Sequence, residues 1–424
     1  MRIRHLLATF TLLFLPAAAL AVVPVLGPQI QVNVSARDVQ GPPKAAVFPD
    51  GGFVVVWEAR ARTGPGRNRG VLHARLFDEN GSPVTGEFLL TATTGGAPAL
   101  DGVAADGNGS FAVAWDQFYG SPSGMTEVYV QRFNRAGRPL TGAVLAHDPS
   151  PFSRYSGALA VGANGHVAVI WAADASSPDA LNYRNDAYGR IFSAGLAPLS
   201  GELLVAMGFD TDHSGPLPDS LALAPDDSLV AALTYAGDGV AVFVQRLAAN
   251  GTPLPTDPIF PATECCITNT YDSSLAMAAD GSFAVVWDYD TPADPSRLPL
   301  PLSPPSGISG RLYSAAGVAE SDADLQINRR QLGTLTSPVV AWLPGGGFVA
   351  AWTDESGRDG SGSGIFGRLL AADGTPIGRD VLINSTTAGN QHSPAIASGP
   401  GGAVVVWISD PATTVYARRI AAAP

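Results

Sequence analysis

The alternation of hydrophobic and polar positions repeats one pattern along most of the chain. Its clearest copy runs from Gly347 to Asn384 and reads GFVAAWTDESGRDGSGSGIFGRLLAADGTPIGRDVLIN. A hydrophobic run ends at Trp352, a polar loop follows, a second run ends in Arg-Leu, and an Asp-Gly-x-Pro turn leads to a last run. Short hydrophobic runs separated by Gly, Asn, Asp and Pro are typical of β-strands joined by tight turns. The pattern therefore predicts an all-β chain built from repeats.

Two positions mark seven copies of this unit, spaced by roughly 50 to 65 residues. The first is a tryptophan, replaced in the fourth copy by Leu233: Trp57, Trp115, Trp171, Trp287, Trp352 and Trp407. The second is an arginine in the following run: Arg75, Arg132, Arg190, Arg246, Arg311, Arg368 and Arg419. Because every copy carries them, we assign both a structural role rather than a role in ligand binding. We expect the tryptophans to pack between sheets and the arginines to bond to carbonyls or carboxylates.

Each copy supplies four strands, because a shorter run rich in small residues precedes each tryptophan run, as in KAAVF, LDGVAA and SLALA. Four-stranded units of about 50 residues are typical of β-propeller blades, whose inner strands crowd around an axis. The seventh copy lacks its last strand, and residues 29–34 (QIQVNV) match the LQIN and VLIN runs of the fifth and sixth copies. We predict a single seven-bladed β-propeller over residues 22–424, closed by an N-terminal strand that completes the last blade.

A family resemblance rests on the runs GGFVVVW, DGSGSGIFGRL, DGTPIG and VLIN. Together they resemble the propeller repeats of exported bacterial proteins, including segments of large adhesin-like and calcium-binding surface proteins. The resemblance covers nearly all of residues 29–420, and the fourth copy departs from it most. It implies a propeller architecture outside the cytoplasm and no particular activity.

Residues 1–21 have the pattern of a secretion signal. Arg2 and Arg4 precede an apolar run at residues 6–15, and Ala19-Leu20-Ala21 is a small-x-small cleavage site. The run is too short to span a membrane as a helix. We therefore expect a monomeric exported protein, periplasmic or extracellular, with no membrane span in the mature chain. Removing the two arginines changes the formal charge from −12 to −14, which disfavours nucleic acid as a partner.

The longest and most variable loops share one face of the predicted ring, because they join second to third strands or one blade to the next. Variable loops on a rigid scaffold are where binding usually resides. Aromatic and polar residues that suit sugar rings or a protein partner collect there: Tyr119, Tyr183, Arg184, Tyr271 and Tyr289. We predict a non-enzymatic binding module whose ligand is a carbohydrate or a surface protein.

Two alternatives remain open at this point. One is a hydrolase or lyase with carboxylate and histidine side chains at the central channel: Asp212, His213, Asp288 and His392. The other is a purely structural module of a larger surface assembly. Calcium is the only cofactor that the sequence suggests, because aspartate pairs on the variable face offer oxygen ligands: Asp210, Asp212, Asp288 and Asp290.

Three residues are unusual for their rarity. Cys265 and Cys266 are the only cysteines, and they are adjacent in a loop between blades. An oxidising compartment favours their pairing, so we predict a vicinal disulfide that acts as a loop staple or as a ligand-facing platform.

Lys44 is the only lysine among 25 basic residues. We attribute this scarcity to a GC-rich bacterial genome rather than to a site.

Overall fold

The computed structural model describes residues 24–34, 39, 41–60, 70–90, 97–120, 124–176, 183–208, 215–236, 240–257, 269–290, 306–321, 323–329 and 333–421. Over these ranges the chain forms 28 β-strands in seven four-stranded antiparallel sheets. Six sheets take four consecutive strands each, and the seventh takes three C-terminal strands and the first strand of the chain. The predicted seven-bladed β-propeller is confirmed. The same ranges contain no helix with the length and hydrophobicity needed to cross a membrane.

The strands follow one another in blade order. The first strand is β1 (Val25–Gln31), which belongs to blade 7. Blades 1 to 3 contain β2 (Lys44–Val47), β3 (Phe53–Arg60), β4 (Gly70–Phe77), β5 (Phe88–Leu89), β6 (Ala97–Ala105), β7 (Phe111–Phe118), β8 (Thr126–Phe133), β9 (Val144–Leu145), β10 (Arg154–Val161), β11 (Val167–Ser176), β12 (Tyr183–Phe192) and β13 (Leu203–Ala206). Blades 4 and 5 contain β14 (Pro216–Leu223), β15 (Leu229–Ala236), β16 (Val240–Leu247), β17 (Pro253–Leu254), β18 (Asn269–Met277), β19 (Phe283–Asp290), β20 (Ser306–Tyr313) and β21 (Leu325–Gln326). Blade 6 contains β22 (Leu335–Trp342), β23 (Phe348–Asp354), β24 (Gly364–Leu370) and β25 (Pro376–Leu382), and blade 7 adds β26 (Gln391–Gly399), β27 (Gly402–Ser409) and β28 (Thr414–Ala421).

Tight turns join the innermost strand of each blade to the second strand. In blade 1 the Phe48 N–H donates to the Gly52 carbonyl at 2.7 Å, and Gly51 between them has a φ of 83°. Glycine adopts this left-handed conformation without the steric cost that a Cβ would bring. The Asp-Gly and Asn-Gly pairs of the sequence therefore mark the hairpins on the face opposite the long loops.

The ring is closed by β1, which pairs antiparallel with β28. Just past β1, the Val32 N–H donates to the Val415 carbonyl at 2.8 Å, and the Val415 N–H donates to Asn33 Oδ1 at 2.7 Å. The asparagine side chain thus extends the ladder by one bond after the strand ends. Two more asparagines make the same 2.7 Å bond to the third strands of their own blades: Asn328 and Asn384. This shared bond explains why IQVN, LQIN and VLIN match.

The core consists of seven hydrophobic clusters, one between each pair of neighbouring blades. The six repeat tryptophans are each at most 4% exposed and lie within these clusters. Leu233 is 1% exposed and belongs to the cluster between blades 3 and 4. The predicted packing role of the tryptophans is confirmed, and Leu233 is their smaller equivalent.

The repeat arginines bond as predicted but lie in two registers rather than one. The first group precedes the last hydrophobic residue of its strand by two positions: Arg75, Arg190, Arg311 and Arg368. The second group lies one position closer: Arg132, Arg246 and Arg419. Because neighbouring residues on a strand point to opposite faces, the two groups point toward opposite neighbouring blades. Arg75 donates to the Val32 carbonyl in the preceding blade at 2.8 Å, whereas Arg132 donates to the Ala194 carbonyl in the following blade at 2.8 Å.

Candidate functional site

A β-bulge interrupts the innermost strand of blades 2 to 7, near the level of the repeat tryptophan. A bulge adds a residue to one strand and re-aims its side chain. In β6 the extra residue is Asp101, and in β14 it is Asp219. In β18 the bulge contains Asp272. The bulges thus bring three carboxylates, which are remote in sequence, to the wall of the channel.

These carboxylates line a cavity of about 290 Å³ at the end of the channel where the inner strands begin. The connections between blades enter at this end, so the cavity opens on the variable-loop face. We call its polar lining residues the channel collar: Lys44, Asp101, Asp219, Asp272, Ser273, Ser337 and Ser393. Four prolines present apolar C–H surfaces between them: Pro42, Pro218, Pro338 and Pro394.

Hydrogen bonds within a blade and between neighbouring blades hold the collar in place. Ser273 Oγ in blade 5 and Thr234 Oγ1 in blade 4 each donate to Asp219 Oδ2 at 2.5 Å. Ser337 Oγ in blade 6 donates to Asp272 Oδ2 at 3.0 Å. Collar side chains therefore have defined positions, which a preorganised binding site requires.

Burial in the channel changes the protonation of the collar. It raises the pKa of Asp219 to about 7, although the two hydroxyl donors oppose the rise. Burial and repulsion from Asp116 raise the pKa of Asp101 well above its usual range. Burial also lowers the pKa of Lys44, against the attraction of the carboxylates of Asp101, Asp219 and Asp272. A cavity lined by groups with perturbed pKa values is a candidate functional site.

Replacing Asp219 by Asn is expected to stabilise the protein at alkaline pH. The carboxyl has a higher pKa in the folded chain than in the unfolded chain, so its contribution to stability is full below about pH 4 and falls as the pH rises toward about 7. We expect Asp219→Asn to raise the unfolding free energy at pH 8 by about 1 kcal/mol, because solvent in the channel reduces the effect. Thermal unfolding of both proteins between pH 4 and pH 8 measures the difference. If the unfolding free energies of the two proteins depend on pH in the same way, burial does not raise the pKa of Asp219.

A second and larger cavity, of about 590 Å³, lies beside the collar between blades 6 and 7. It shares Ser337 and Ser393 with the collar cavity, so the two are contiguous. Its other lining residues are mostly polar: Thr336, Thr353, Glu355, Gly362, Ser363, Asn390 and His392. We call the two cavities together the face groove. At their junction Ser337 and Ser393 have φ values of 52° and 54°, a conformation that costs energy for a residue with a Cβ and is concentrated at functional sites.

The opposite half of the channel is apolar. A space of about 350 Å³ there is lined almost entirely by alanine, valine, leucine and other hydrophobic side chains of the inner strands. Among the described residues that line the channel cavities, charged side chains are thus confined to the half that opens on the variable-loop face.

Two residues of the predicted catalytic set lie in different blades. His392 lines the face groove, where its Nε2 is 3.2 Å from Asp410 Oδ2 and its Nδ1 is 3.0 Å from Ser393 Oγ. Asp288 is 3% exposed and accepts a 2.8 Å hydrogen bond from the Asp272 N–H. Asp288 therefore supports the bulge that carries Asp272, and His392 is the member of the pair that reaches the groove.

Tyr119 and Tyr289, two of the predicted aromatic residues, are not among the residues that line the face groove. Tyr119 Oη lies 2.7 Å from Tyr129 Oη, which donates to Glu127 Oε2 at 2.8 Å. Tyr289 Oη donates to Gln326 Oε1 at 3.0 Å. The remaining members begin β12 or lie near the start of β18: Tyr183, Arg184 and Tyr271. Their role in binding stays a prediction.

Other predicted residues fall outside the described ranges: Asp210, Asp212, His213, Cys265 and Cys266. The vicinal disulfide therefore stays a prediction. Across the described ranges, no three His, Cys, Asp or Glu side chains are grouped so that they could hold a metal ion. Asp288 and Asp290 belong to β19, and calcium binding at this pair stays a prediction.

Sequence reasoning missed the charged residues of the collar. The sequence did contain an indication of them. Several of the small-residue runs that form innermost strands have a charged residue at or near their start, as in KAAVF and LDGVAA. The single lysine, which we had attributed to genomic composition, occupies one of these positions as the first residue of β2.

No protein-family model matches the sequence, and no curated protein matches it. Among solved structures, the polysaccharide lyase Uly1 superposes with a TM-score of 0.55 at 8% identity, over 92% of this chain and 92% of that chain. A protein of unknown function from Dyadobacter fermentans superposes with a TM-score of 0.53 at 11% identity, over 95% of this chain and 100% of that chain. A PL25 ulvan lyase bound to -[GlcA(1-4)Rha3S]- gives 0.51 at 11% identity, over 80% of each chain. At such low identity the likeness shows a shared fold alone.

Proposed function

We propose that this is an exported binding protein that holds a carbohydrate chain in the face groove. The observation that carries the proposal is the contiguity of two polar cavities, about 290 and 590 Å³, on the variable-loop face. Their hydroxyl, amide and carboxylate groups complement sugar hydroxyls, and the prolines of the collar complement sugar C–H surfaces. Small-molecule sites span about 300 to 1,000 Å³, so the groove has room for more than one sugar ring.

The charge of the collar narrows the ligand class. Among the described residues, Lys44 is the only cationic side chain that lines the collar cavity, and burial lowers its pKa, so the collar offers little positive charge to an anionic sugar. We therefore favour a neutral polysaccharide. Two propellers of similar fold are named as polysaccharide lyases, which supports carbohydrate as the ligand class and assigns no residue of this chain.

Hydrolysis of the bound chain is a second candidate, favoured by one observation. With a pKa of about 7, Asp219 can both donate and accept a proton at neutral pH. Glycoside hydrolases commonly use a pair of carboxyl groups, one of which has a raised pKa. Asp219 would be the carboxyl with the raised pKa here and Asp272, which lines the same cavity, the second carboxyl, in place of the predicted Asp212 and Asp288.

The experiment is binding of the mature protein, from Val22, to immobilised neutral and acidic polysaccharides, with release of reducing ends followed in parallel. Glu355→Gln is expected to weaken binding about tenfold, because an exposed carboxylate in the groove loses its charge-assisted hydrogen bonds to sugar hydroxyls. Asp373→Asn is the matched control, since Asp373 lies in a hairpin turn on the opposite face. Tyr119→Ala and Tyr289→Ala test the aromatic prediction separately.

The outcomes separate the candidates. Saturable binding without product, weakened by Glu355→Gln alone, supports the face groove as a binding site. New reducing ends that disappear in Asp219→Asn support hydrolysis. Binding lost only in the tyrosine variants moves the site to the rim. No binding to any polysaccharide contradicts the carbohydrate proposal and leaves a surface protein as the partner to seek.

A further inference from the structure

Lys44 presents a free amine inside the channel. It lines the collar cavity of about 290 Å³ and the adjoining channel space of about 210 Å³, where solvent still reaches it. Among the described residues it has no hydrogen bond and no ion pair with any partner. A lysine side chain is usually a solvated charge at the surface, and this one is neither at the surface nor paired.

The carboxylates near Lys44 act on it without binding it. Asp101, Asp219 and Asp272 all attract the protonated amine, yet the loss of water around it is the larger effect and lowers its pKa. The innermost strands of blades 3, 6 and 7 add only uncharged groups to the collar cavity, among them Gly157, Ser337 and Ser393. A desolvated lysine amine with a lowered pKa is a nucleophile, as in enzymes that form Schiff bases.

We propose that Lys44 condenses reversibly with the aldehyde group of a small, uncharged carbonyl compound that enters the channel collar. The Nζ lone pair forms a bond to the carbonyl carbon, and the carbonyl π electrons move to oxygen. A proton then passes from nitrogen to that oxygen, which gives a carbinolamine. The C–O bond breaks, the hydroxyl takes up a proton and leaves as water, and the nitrogen lone pair completes the C=N bond.

Asp219 lines the same two cavities as Lys44 and is the group that we assign to carry these protons. Its carboxyl has a pKa of about 7, so both protonation states are populated near neutral pH and it can donate to the leaving hydroxyl. In the part of the chain that the structure describes, the collar cavity has no cationic side chain other than Lys44 to hold an anionic aldehyde, and the cavity volume limits the substrate to a compound of a few carbons or to the open-chain end of an aldose. The reaction needs no glycan in the larger cavity, so it can hold or fail independently of polysaccharide binding.

The test is reductive trapping with glyceraldehyde and cyanoborohydride at pH 7, followed by intact-mass measurement and peptide mapping. Because Lys44 is the only lysine, the N-terminal amine is the only other amine and serves as an internal reference. At pH 7 an ordinary lysine is neutral in about 1 molecule in 2,500, whereas an α-amine is neutral in roughly 1 in 5 to 10. Because burial lowers the pKa of Lys44, we expect its rate relative to the N-terminus to exceed that of an ordinary lysine at least tenfold, which places it above about one-thirtieth of the N-terminal rate. A Lys44 rate below about one-thirtieth of the N-terminal rate would overturn the proposal.

Three controls connect the reactivity to the folded site. In urea-unfolded protein Lys44 becomes an ordinary lysine, so its rate relative to the N-terminus should fall at least tenfold. Lys44→Arg should leave the N-terminus as the only modified group. Asp219→Asn should slow trapping at Lys44 at least tenfold, although it removes a charge that favours the protonated amine. Equal relative rates in folded and unfolded protein would contradict the reactivity of Lys44 in the folded site. Equal rates in Asp219→Asn and the parent would contradict proton transfer by Asp219.

Discussion

Deletion of residues 1–35 is expected to abolish cooperative folding of the ring. The deletion removes β1, so the backbone groups of β28 lose their partner and become an unpaired edge. It also removes Val32, which is fully buried, and the carbonyl that accepts from Arg75. The Gly27 carbonyl, which accepts from Arg418 at 2.7 Å, is lost as well. We expect the melting temperature to fall by more than about 20 °C or the transition to disappear, with concentration-dependent association through β28.

Circular dichroism and size-exclusion chromatography at several concentrations measure this effect. A chain that begins at Val22 keeps β1 and is the matched control. A peptide of residues 24–35 added to the truncated chain should restore a cooperative transition, because it supplies the same strand in trans. If the truncated chain remains monomeric with an unchanged melting temperature, ring closure by β1 contributes little to stability.

The fold was predictable because each blade carries its own hydrophobic pattern. A hydrophobic run such as SFAVVW predicts a buried strand. Seven such runs, each followed by the same kind of turn, are compatible with few architectures other than a seven-bladed propeller. Even the closing strand was recognisable, since IQVN shares with LQIN and VLIN an asparagine that caps the neighbouring strand. The face to which each arginine points was not predictable. Arg132, Arg246 and Arg419 lie one residue further along their strands than the other repeat arginines, and an alignment of the copies on arginine conceals this difference.

The site was not predictable in the same way, because it belongs to no single blade. Lys44, Asp101, Asp219 and Asp272 come from four different inner strands, and each resembles a solvated polar residue at a strand end. What places them together is a bulge in three of these strands, and periodicity does not reveal a bulge. The predicted aromatic residues have the chemistry that sugar rings need, whereas the face groove is lined mostly by serine, threonine, asparagine and carboxyl side chains.

Removal of the Arg132 guanidinium is expected to cost about 3–5 kcal/mol of unfolding free energy. Arg132 forms a salt bridge with Asp106, and the two side chains are 4% and 2% exposed. It also donates to the Gly165 and Ala194 carbonyls of blade 3, at 3.1 and 2.8 Å. Arg132→Met keeps most of the side-chain volume but leaves the Asp106 carboxylate buried without its counter-charge. Chemical denaturation at pH 7 measures the loss, and Arg135→Met is the matched control in an exposed pair with Asp50.

The pH dependence of this loss identifies its cause. Burial raises the pKa of Asp106, but the hydrogen bonds from Ser110 and Asn108 and the charge of Arg132 outweigh it and hold the pKa below its usual range. A carboxyl with a lowered pKa stabilises the fold above the pKa of the unfolded chain, about 4, and this contribution is lost as the pH falls through the folded value. Arg132→Met should therefore differ from the parent most at neutral pH and progressively less below about pH 4, where Asp106 becomes protonated. If the difference in unfolding free energy between Arg132→Met and the parent is constant from pH 7 to pH 3, Arg132 stabilises the ring through packing and its carbonyl contacts instead. In that case the double variant Arg132→Met/Asp106→Asn would be no more stable than Arg132→Met alone.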